Sequence, residues 1–308
     1  MRCFALGIVL ILSAVSYAQT NEIVEAVERK LAAIRYVQAL QDKDTGAFKA
    51  TAEAKGPSLR ATSAAIRTLS YHYRKPVKEA VPNAAKTVAF VMSCFDPKTG
   101  GFADAPGGKP DIAITGIGVL AALELEIPRD KFAKAMDYLK DNAKTFEDVR
   151  IGAAVVEVWG VKNCPFELDF WLKIAKAHGA MSITIDPKDG GAREVGSYAA
   201  MMLRLDVQPG GDRERMLIAE RLRDGQRDDG GWGKKDEKVS DLETTYRVMR
   251  AFYLLKEKPK NAAKLSEFIG KCRNKDGGYG VKPGEPSSAS GVYLVAAIGK
   301  WLDEMEKK

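Results

Sequence analysis

Gln226-Arg227-Asp228-Asp229-Gly230-Gly231-Trp232 is the phrase from which the architecture follows. An apolar run ends just before it at Arg221-Leu222, two acidic residues and two glycines make a tight turn, and a large aromatic closes the phrase. Asp suits such a turn because its side chain bonds nearby backbone amides, and Gly because it accepts positive φ. The phrase recurs along the chain. Tyr36 to Gln41 leads through Asp42, Asp44 and Gly46 to Phe48, and Phe90-Val91 leads through Asp96-Pro97-Lys98-Thr99-Gly100-Gly101 to Phe102. Phe268-Ile269 leads through Asp276-Gly277-Gly278 to Tyr279. Asp186-Pro187-Lys188-Asp189-Gly190-Gly191 arrives at Ala192 without an aromatic, and Tyr138-Leu139 to Phe146 is a worn copy without glycines. Between Phe48 and Tyr279 the copies step by about 46 residues, room for two helices and two connections, so the chain reads as six units.

Each turn is followed by a helix-length run of apolar and small residues: Ile112 to Leu123, Ser197 to Leu205, Leu242 to Leu255 and Val292 to Trp301. These read as inner helices. The stretches before the turns, such as Glu22 to Leu40 and Arg213 to Leu222, are amphipathic with one charged face, as an outer layer requires. Such units cannot bury their apolar faces alone, so they stack, and six of them can close on themselves. The expected fold is all-α, an (α/α)6 toroid of helical hairpins forming one domain over residues 19–308, with an open helical solenoid as the alternative. No sustained period-two alternation argues for a sheet. Phe48, Phe102, Trp232 and Tyr279 read as packing residues of the turns.

The composition, 45% hydrophobic and 29% charged over 308 residues, allows a sizeable core. Residues 1–18 read as a signal peptide: Arg2, an apolar run from Phe4 to Val15, then Ser16-Tyr17-Ala18 with small residues where a signal peptidase cuts. The run is shorter than the ~20 residues of a spanning helix. The expectation is therefore a secreted or periplasmic protein with no membrane span after cleavage. Cys94, Cys164 and Cys272 remain, an odd set without Cys-x-x-Cys spacing, so neither a zinc knuckle nor a disulfide framework is indicated. The formal charge is +7, one less without Arg2, and its Lys and Arg are mixed among Asp and Glu, which argues against a nucleic-acid partner.

The turns Gln226 to Trp232 and Gln41 to Phe48 resemble the Gln-to-Trp repeat of terpene cyclases and protein prenyltransferase β subunits, over residues of about 30 to 303. The segment from Gly230 to Glu243 looks closest to the geranylgeranyltransferase β subunit. There, the resemblance implies, two basic residues hold the isoprenoid diphosphate, and Asp, Cys and a His of the next repeat bind zinc. Lys235, Lys238 and Asp241 match by position, giving Lys235 and Lys238 as substrate-binding residues. Glu243 stands where the family has Cys, and Ser290, after a one-residue gap, where it has His. Zinc would lose two of its three ligands; the oxygen donors left, Asp241 and Glu243, suit a hard cation such as Mg²⁺. The same two carboxylates are the catalytic candidates if the chain is a transferase. The cyclases' Asp-x-Asp-Asp pattern is absent, and Asp111 stands alone at the start of an inner helix.

Ser240-Asp241-Leu242-Glu243 also has the form of a capping box, which accounts for Glu243 without a ligand. Lys235 and Lys238 equally suit a solvated loop, or an anion beside a helix N-terminus. His72 reads as a residue near a helix end, and His178, before Gly179, as a helix C-terminus. Three functions stay open: a prenyltransferase-like enzyme binding an isoprenoid diphosphate or other amphiphile in an apolar centre, a non-catalytic module keeping that cavity for a lipid or peptide, or a repeat protein that binds a protein partner on its outer surface.

Overall fold

The computed structural model describes residues 24–73 and 76–307, so the segment read as a signal peptide lies outside the described residues. In chain order the helices are α1 (24–39), α2 (Leu59–Tyr73), the short α3 (Val77–Ala80), α4 (Ala84–Ser93), α5 (Ile112–Glu124) and α6 (Lys134–Asn142). There follow α7 (Phe146–Trp159), α8 (Asp169–Ser182), α9 (Ala192–Arg204), α10 (Asp212–Asp224), α11 (Leu242–Leu255), α12 (Ala262–Lys271) and α13 (Ala289–Glu306). Helices α2, α5, α7, α9, α11 and α13 each pack on the next, and α13 packs on α2, so the inner ring closes. The fold is the α/α toroid, and no strand occurs among the described residues, only isolated bridges across corners, such as Phe95 with Phe102. No helix among them is long and apolar enough to cross a membrane.

The corners show what the recurring phrase does. The aromatic is fully buried at Phe48 and Phe102 and nearly so at Trp232, and each donates its backbone N–H to a threonine of the following inner helix. The acceptors are Thr62 at 2.9 Å, Thr115 at 3.0 Å and Thr245 at 3.2 Å. The glutamine ties neighbouring units together. Gln226 donates from Nε2 to Gly230 O at 2.8 Å and Asn261 O at 2.9 Å, and its Oε1 accepts from Asn261 N at 2.8 Å. Gln41 bridges Gly46 O and Pro82 O in the same way.

The first glycine of the pair is required twice over. Gly230 has φ +97°, and a Cβ there would lie 2.1 Å from Lys264 O of the next outer helix. At Gly277, with φ +85°, the neighbour is Ala32 of α1, so the sixth unit docks on the first with the geometry used elsewhere. The first amide of α13, Ala289 N, donates to Ala50 O at 2.9 Å across this seam, as Leu59 N does to Asp104 O and Leu242 N to Val281 O at 2.8 Å between other neighbours. The ring closes through its ordinary inter-unit bonds.

Two local readings are corrected. The N-cap of α11 is Asp241, one residue later than the box starting at Ser240 would place it, because Ser240 is drawn to the turn, donating from Oγ to Asp229 Oδ1 at 2.8 Å. The capping box that does form is Thr145 with Asp148, and it starts α7 at the worn corner. Helix α8 does not end at His178: it runs on through Gly179, which is small because the Tyr198 ring packs there, 2.7 Å from where a Cβ would stand.

Candidate functional site

Because six inner helices surround the axis, a residue on their axial face has neither solvent nor an outer helix to meet, only the bore. The bore holds a cavity of about 610 Å³ lined entirely by the six inner helices. A larger groove of about 690 Å³ lies outside it, between α1, the end of α2 and α13. The bore is the stronger candidate because all six units contribute to it and because its lining is chemically divided.

One wall is apolar, made of Ala113, Gly116, Ile117 and Leu120 of α5 with Ile151, Ala154 and Val158 of α7. The rest of the lining is charged and aromatic: Arg60, Arg67 and Tyr71 of α2, Glu124 of α5, Glu147, Arg150 and Glu157 of α7, Arg204 of α9, Glu243, Tyr246, Arg247 and Arg250 of α11, and Trp301 of α13. Glu243, Tyr246, Arg247 and Arg250 stand three or four positions apart, which puts them on one face of α11. A smaller cavity of about 330 Å³ shares Arg60, Arg67, Ile117 and Glu243 and adds Ser290, Tyr293 and Leu294.

Most of these charges are paired. Glu147 meets Arg150 at 2.8 Å, Arg193 at 3.7 Å and also Arg247. Burial pushes the Glu147 carboxyl up, but Arg150 and Arg247 outweigh it and hold the group down to about 2. Glu243 meets Arg247 at 3.1 Å and Lys234 at 3.4 Å; burial again opposes ionisation, and Arg247, Lys234 and Arg193 bring the pKa below the usual carboxylate range. Glu194 joins the network through Arg193 and through His178 at 3.2 Å, whose ring stacks on Phe146 with centroids 3.5 Å apart. Nearer the other end of the bore, Glu157 serves both Arg204, at 3.2 Å, and Arg250.

Arg67 differs: no carboxylate pairs with it among the described residues. Its guanidinium donates to Tyr71 Oη at 3.2 Å and lies 4.5 Å from the centroid of the Tyr293 ring. Burial works against this charge, and the phenols of Tyr293, Tyr71 and Tyr246 more than offset that, leaving its pKa above the ordinary value. Tyr246 and Tyr293 share a hydrogen bond between hydroxyls at 2.9 Å. Burial alone would raise the Tyr246 phenol; Arg67, Arg204, the Tyr293 hydroxyl and Arg250 instead bring it down to about 8, while burial, above all, takes its partner Tyr293 up.

The positions named from sequence fall apart in space. Asp241 is fully buried, with Oδ1 accepting from Thr244 N at 2.7 Å and Oδ2 from Thr244 Oγ1 at 2.8 Å. Glu243, by contrast, faces the bore, so the two carboxylates do not meet as a pair. The set does not fit a metal, whether zinc or Mg²⁺: both oxygens of Asp241 are committed to the helix start, and Glu243 is held by two cations. No group of three or more His, Cys, Asp or Glu is placed to hold a metal ion among the described residues. Lys235 and Lys238 are exposed on the loop before α11 and do not line the bore; the lysine that reaches Glu243 is Lys234. Cys94, Cys164 and Cys272 are all free. His72 stays in the last turn of α2, facing the outer groove, where burial and then Lys30 depress its pKa to about 4.

Apart from Glu243, the arginines and glutamates of the bore were not singled out from sequence, yet a signal exists. Glu243-x-x-Tyr246-Arg247-x-x-Arg250 is a charged stripe at helical spacing on a helix already assigned to the inner ring, and a stripe there has only the axis to face.

A family model described as the prenyltransferase alpha-alpha toroid domain matches residues 75–138 and 192–308, more than half of the chain. Among solved structures, a type II terpene cyclase from Scytonema superposes with a TM-score of 0.62 at 11% identity, covering 92% of this chain and 98% of the cyclase. Protein geranylgeranyltransferase-I of Candida albicans, solved with GGPP, gives 0.59 at 12% identity, covering 80% of this chain and 84% of that one. A protein from Actinoplanes gives 0.62 at 12% identity, with 91% and 99% covered. At such identities the likeness concerns the fold. No curated protein matches in sequence.

Proposed function

The chain belongs to the prenyltransferase alpha-alpha toroid family, and on that premise we propose that it is an exported protein that binds an isoprenoid-type amphiphile in the bore of its ring. The observation that carries the reading is the division of the cavity: apolar residues of α5 and α7 face arginine, glutamate and tyrosine from α2, α7, α9 and α11. An amphiphile has that division itself. Its chain buries apolar surface at roughly 25 cal/mol per Å², and its polar end keeps hydrogen-bonding partners on the other side. Export is supported by the apolar run from Phe4 to Val15 followed by Ser16-Tyr17-Ala18. The structures of relatives add support: the geranylgeranyltransferase was solved with GGPP, and another structure of the Scytonema cyclase holds geranylgeranyl dihydroxybenzoate. Binding is the function proposed, since Asp241, the carboxylate that the family pattern would use, is buried in a helix cap.

The test is calorimetry of the purified protein with geranylgeranyl diphosphate and with the uncharged alcohol geranylgeraniol. Ile117 lines both parts of the bore, and Ile117→Glu places a charge on the apolar wall. The wild type binds at least the diphosphate, and the variant loses binding while keeping its helical circular dichroism. Absence of binding by every prenyl ligand, or undiminished binding by a folded Ile117→Glu protein, refutes the proposal.

A further inference from the structure

The bore contains more guanidinium than carboxylate, and the excess is gathered in one place. Arg67 lies over the Tyr293 ring, whose hydroxyl bonds Tyr246; Arg250 lies beside Trp301, whose ring packs 5.0 Å from that of Tyr246; and Arg204 is joined to Arg250 through Glu157, the carboxylate paired with this group. Glu124 of α5 lines the same cavity, but no ion pair joins it to any of the three among the described residues. Arg204 is only 9% exposed yet borders the cavity. Arg67 has phenols and aromatic faces where a counter-ion would normally be, and Arg250 lies 5.4 Å from the centroid of the Trp301 ring. A half-buried cation attracts an anion strongly because water screens it poorly there. The arginine fork is suited to oxyanions, whose oxygens it can take two at a time.

We infer that Arg67, Arg204 and Arg250, around the paired hydroxyls of Tyr246 and Tyr293, form an oxyanion site that takes the phosphate or carboxylate head of an amphiphile. The inference rests on the reading of the bore as a ligand cavity and adds the orientation: the head lies against α2, α9 and α11, and the chain against α5 and α7. It also moves the head away from Lys235 and Lys238, where the family pattern would put it. Tyr246 explains how the site can exist without its ligand. Ionisation of one phenol of the pair, with the other hydroxyl donating to it, supplies a negative charge that an incoming anion replaces.

The site can be read with a probe that has no chain. Inorganic pyrophosphate is titrated into the full-length protein near pH 8 while tyrosinate absorbance is followed in the near ultraviolet; Tyr246→Phe identifies the responding group. The expected result is saturable binding with loss of tyrosinate signal, a signal absent in Tyr246→Phe. Arg67→Gln weakens pyrophosphate and geranylgeranyl diphosphate by about tenfold or more, the usual worth of a charged hydrogen bond, and Arg67→Lys restores part of it. If Arg67→Gln fails to fold by circular dichroism, Arg250→Gln takes its place. Palmitate is titrated in parallel, and tighter binding of palmitate or of the diphosphate assigns a carboxylate or a phosphate head; either outcome supports the site. Binding unchanged in a folded Arg67→Gln but lost in Lys235→Ala/Lys238→Ala overturns it, as does geranylgeraniol binding as tightly as its diphosphate. Those outcomes leave amphiphile binding standing. Pyrophosphate bound without any prenyl ligand keeps the oxyanion site and refutes the isoprenoid reading alone.

Discussion

The fifth corner of the ring and the third solve one problem by different means. At the fifth, Gly230 lets α12 approach to contact, Gln226 bridges to Asn261, and Trp232 is anchored on Thr245. At the third there is no glycine pair and no glutamine. Thr145 and Asp148 cap α7 locally, Phe146 stacks on His178, and Glu147 reaches Arg193 and Arg247 of the two following inner helices. The family model matches up to residue 138 and resumes at 192, so this corner and all of α7 fall in the unmatched stretch. That same stretch supplies Glu147, Arg150 and Glu157 to the bore. A closed ring tolerates one unconventional corner because its neighbours on both sides hold it, and here the corner that departs from the pattern also brings charge to the axis.

The fifth corner is the more sensitive of the two to substitution. Gly230→Ala combines a left-handed backbone with a clash against Lys264 O, and about 3 kcal/mol or more of stability should be lost in urea unfolding. At the third corner, Thr145→Ala removes one cap, and a loss of about 1 kcal/mol is expected by the same measurement. Equal losses at the two positions would show that the corners are not built differently.

Acid sharpens the contrast further. The Glu147 pKa lies at about 2, below its ordinary 4.5. A depressed carboxylate contributes stability that is fully present above its unfolded pKa and disappears as pH falls through the folded one. Melting temperature should therefore drop between about pH 4.5 and about pH 2, and Glu147→Gln should flatten that part of the profile while lowering stability at neutral pH. The smallest effect is predicted for Lys235→Ala/Lys238→Ala, within about 0.5 kcal/mol of the wild type, because both side chains are exposed.

How far the sequence could be read follows from the range of the interactions involved. The corners are local phrases whose residues meet within a few positions, so the even spacing of Phe48, Phe102, Trp232 and Tyr279 was enough to predict closure. The bounds of α11 were read correctly, but its cap was misassigned by one residue because Ser240 bonds Asp229 across the turn, a contact outside the capping pattern. The bore was the larger miss. An apolar centre was expected from inner helices rich in Ala, Val and Leu, whereas the axial face of α11 carries Glu243, Arg247 and Arg250. Their partners Glu147 and Glu157 lie 93 to 100 residues away, and only the closed ring brings them together. Asp241 and Glu243, two positions apart, suggested a ligand pair, but α11 turns one into its cap and the other toward the axis.

The decisive observation is a crystal structure of the protein with geranylgeranyl diphosphate. It should show the isoprenoid chain along Ile117, Leu120 and Ile151, and the diphosphate within hydrogen-bonding reach of Arg67. Ligand density on the loop of Lys235 and Lys238, on the outer surface, or nowhere at saturating concentration would contradict the account.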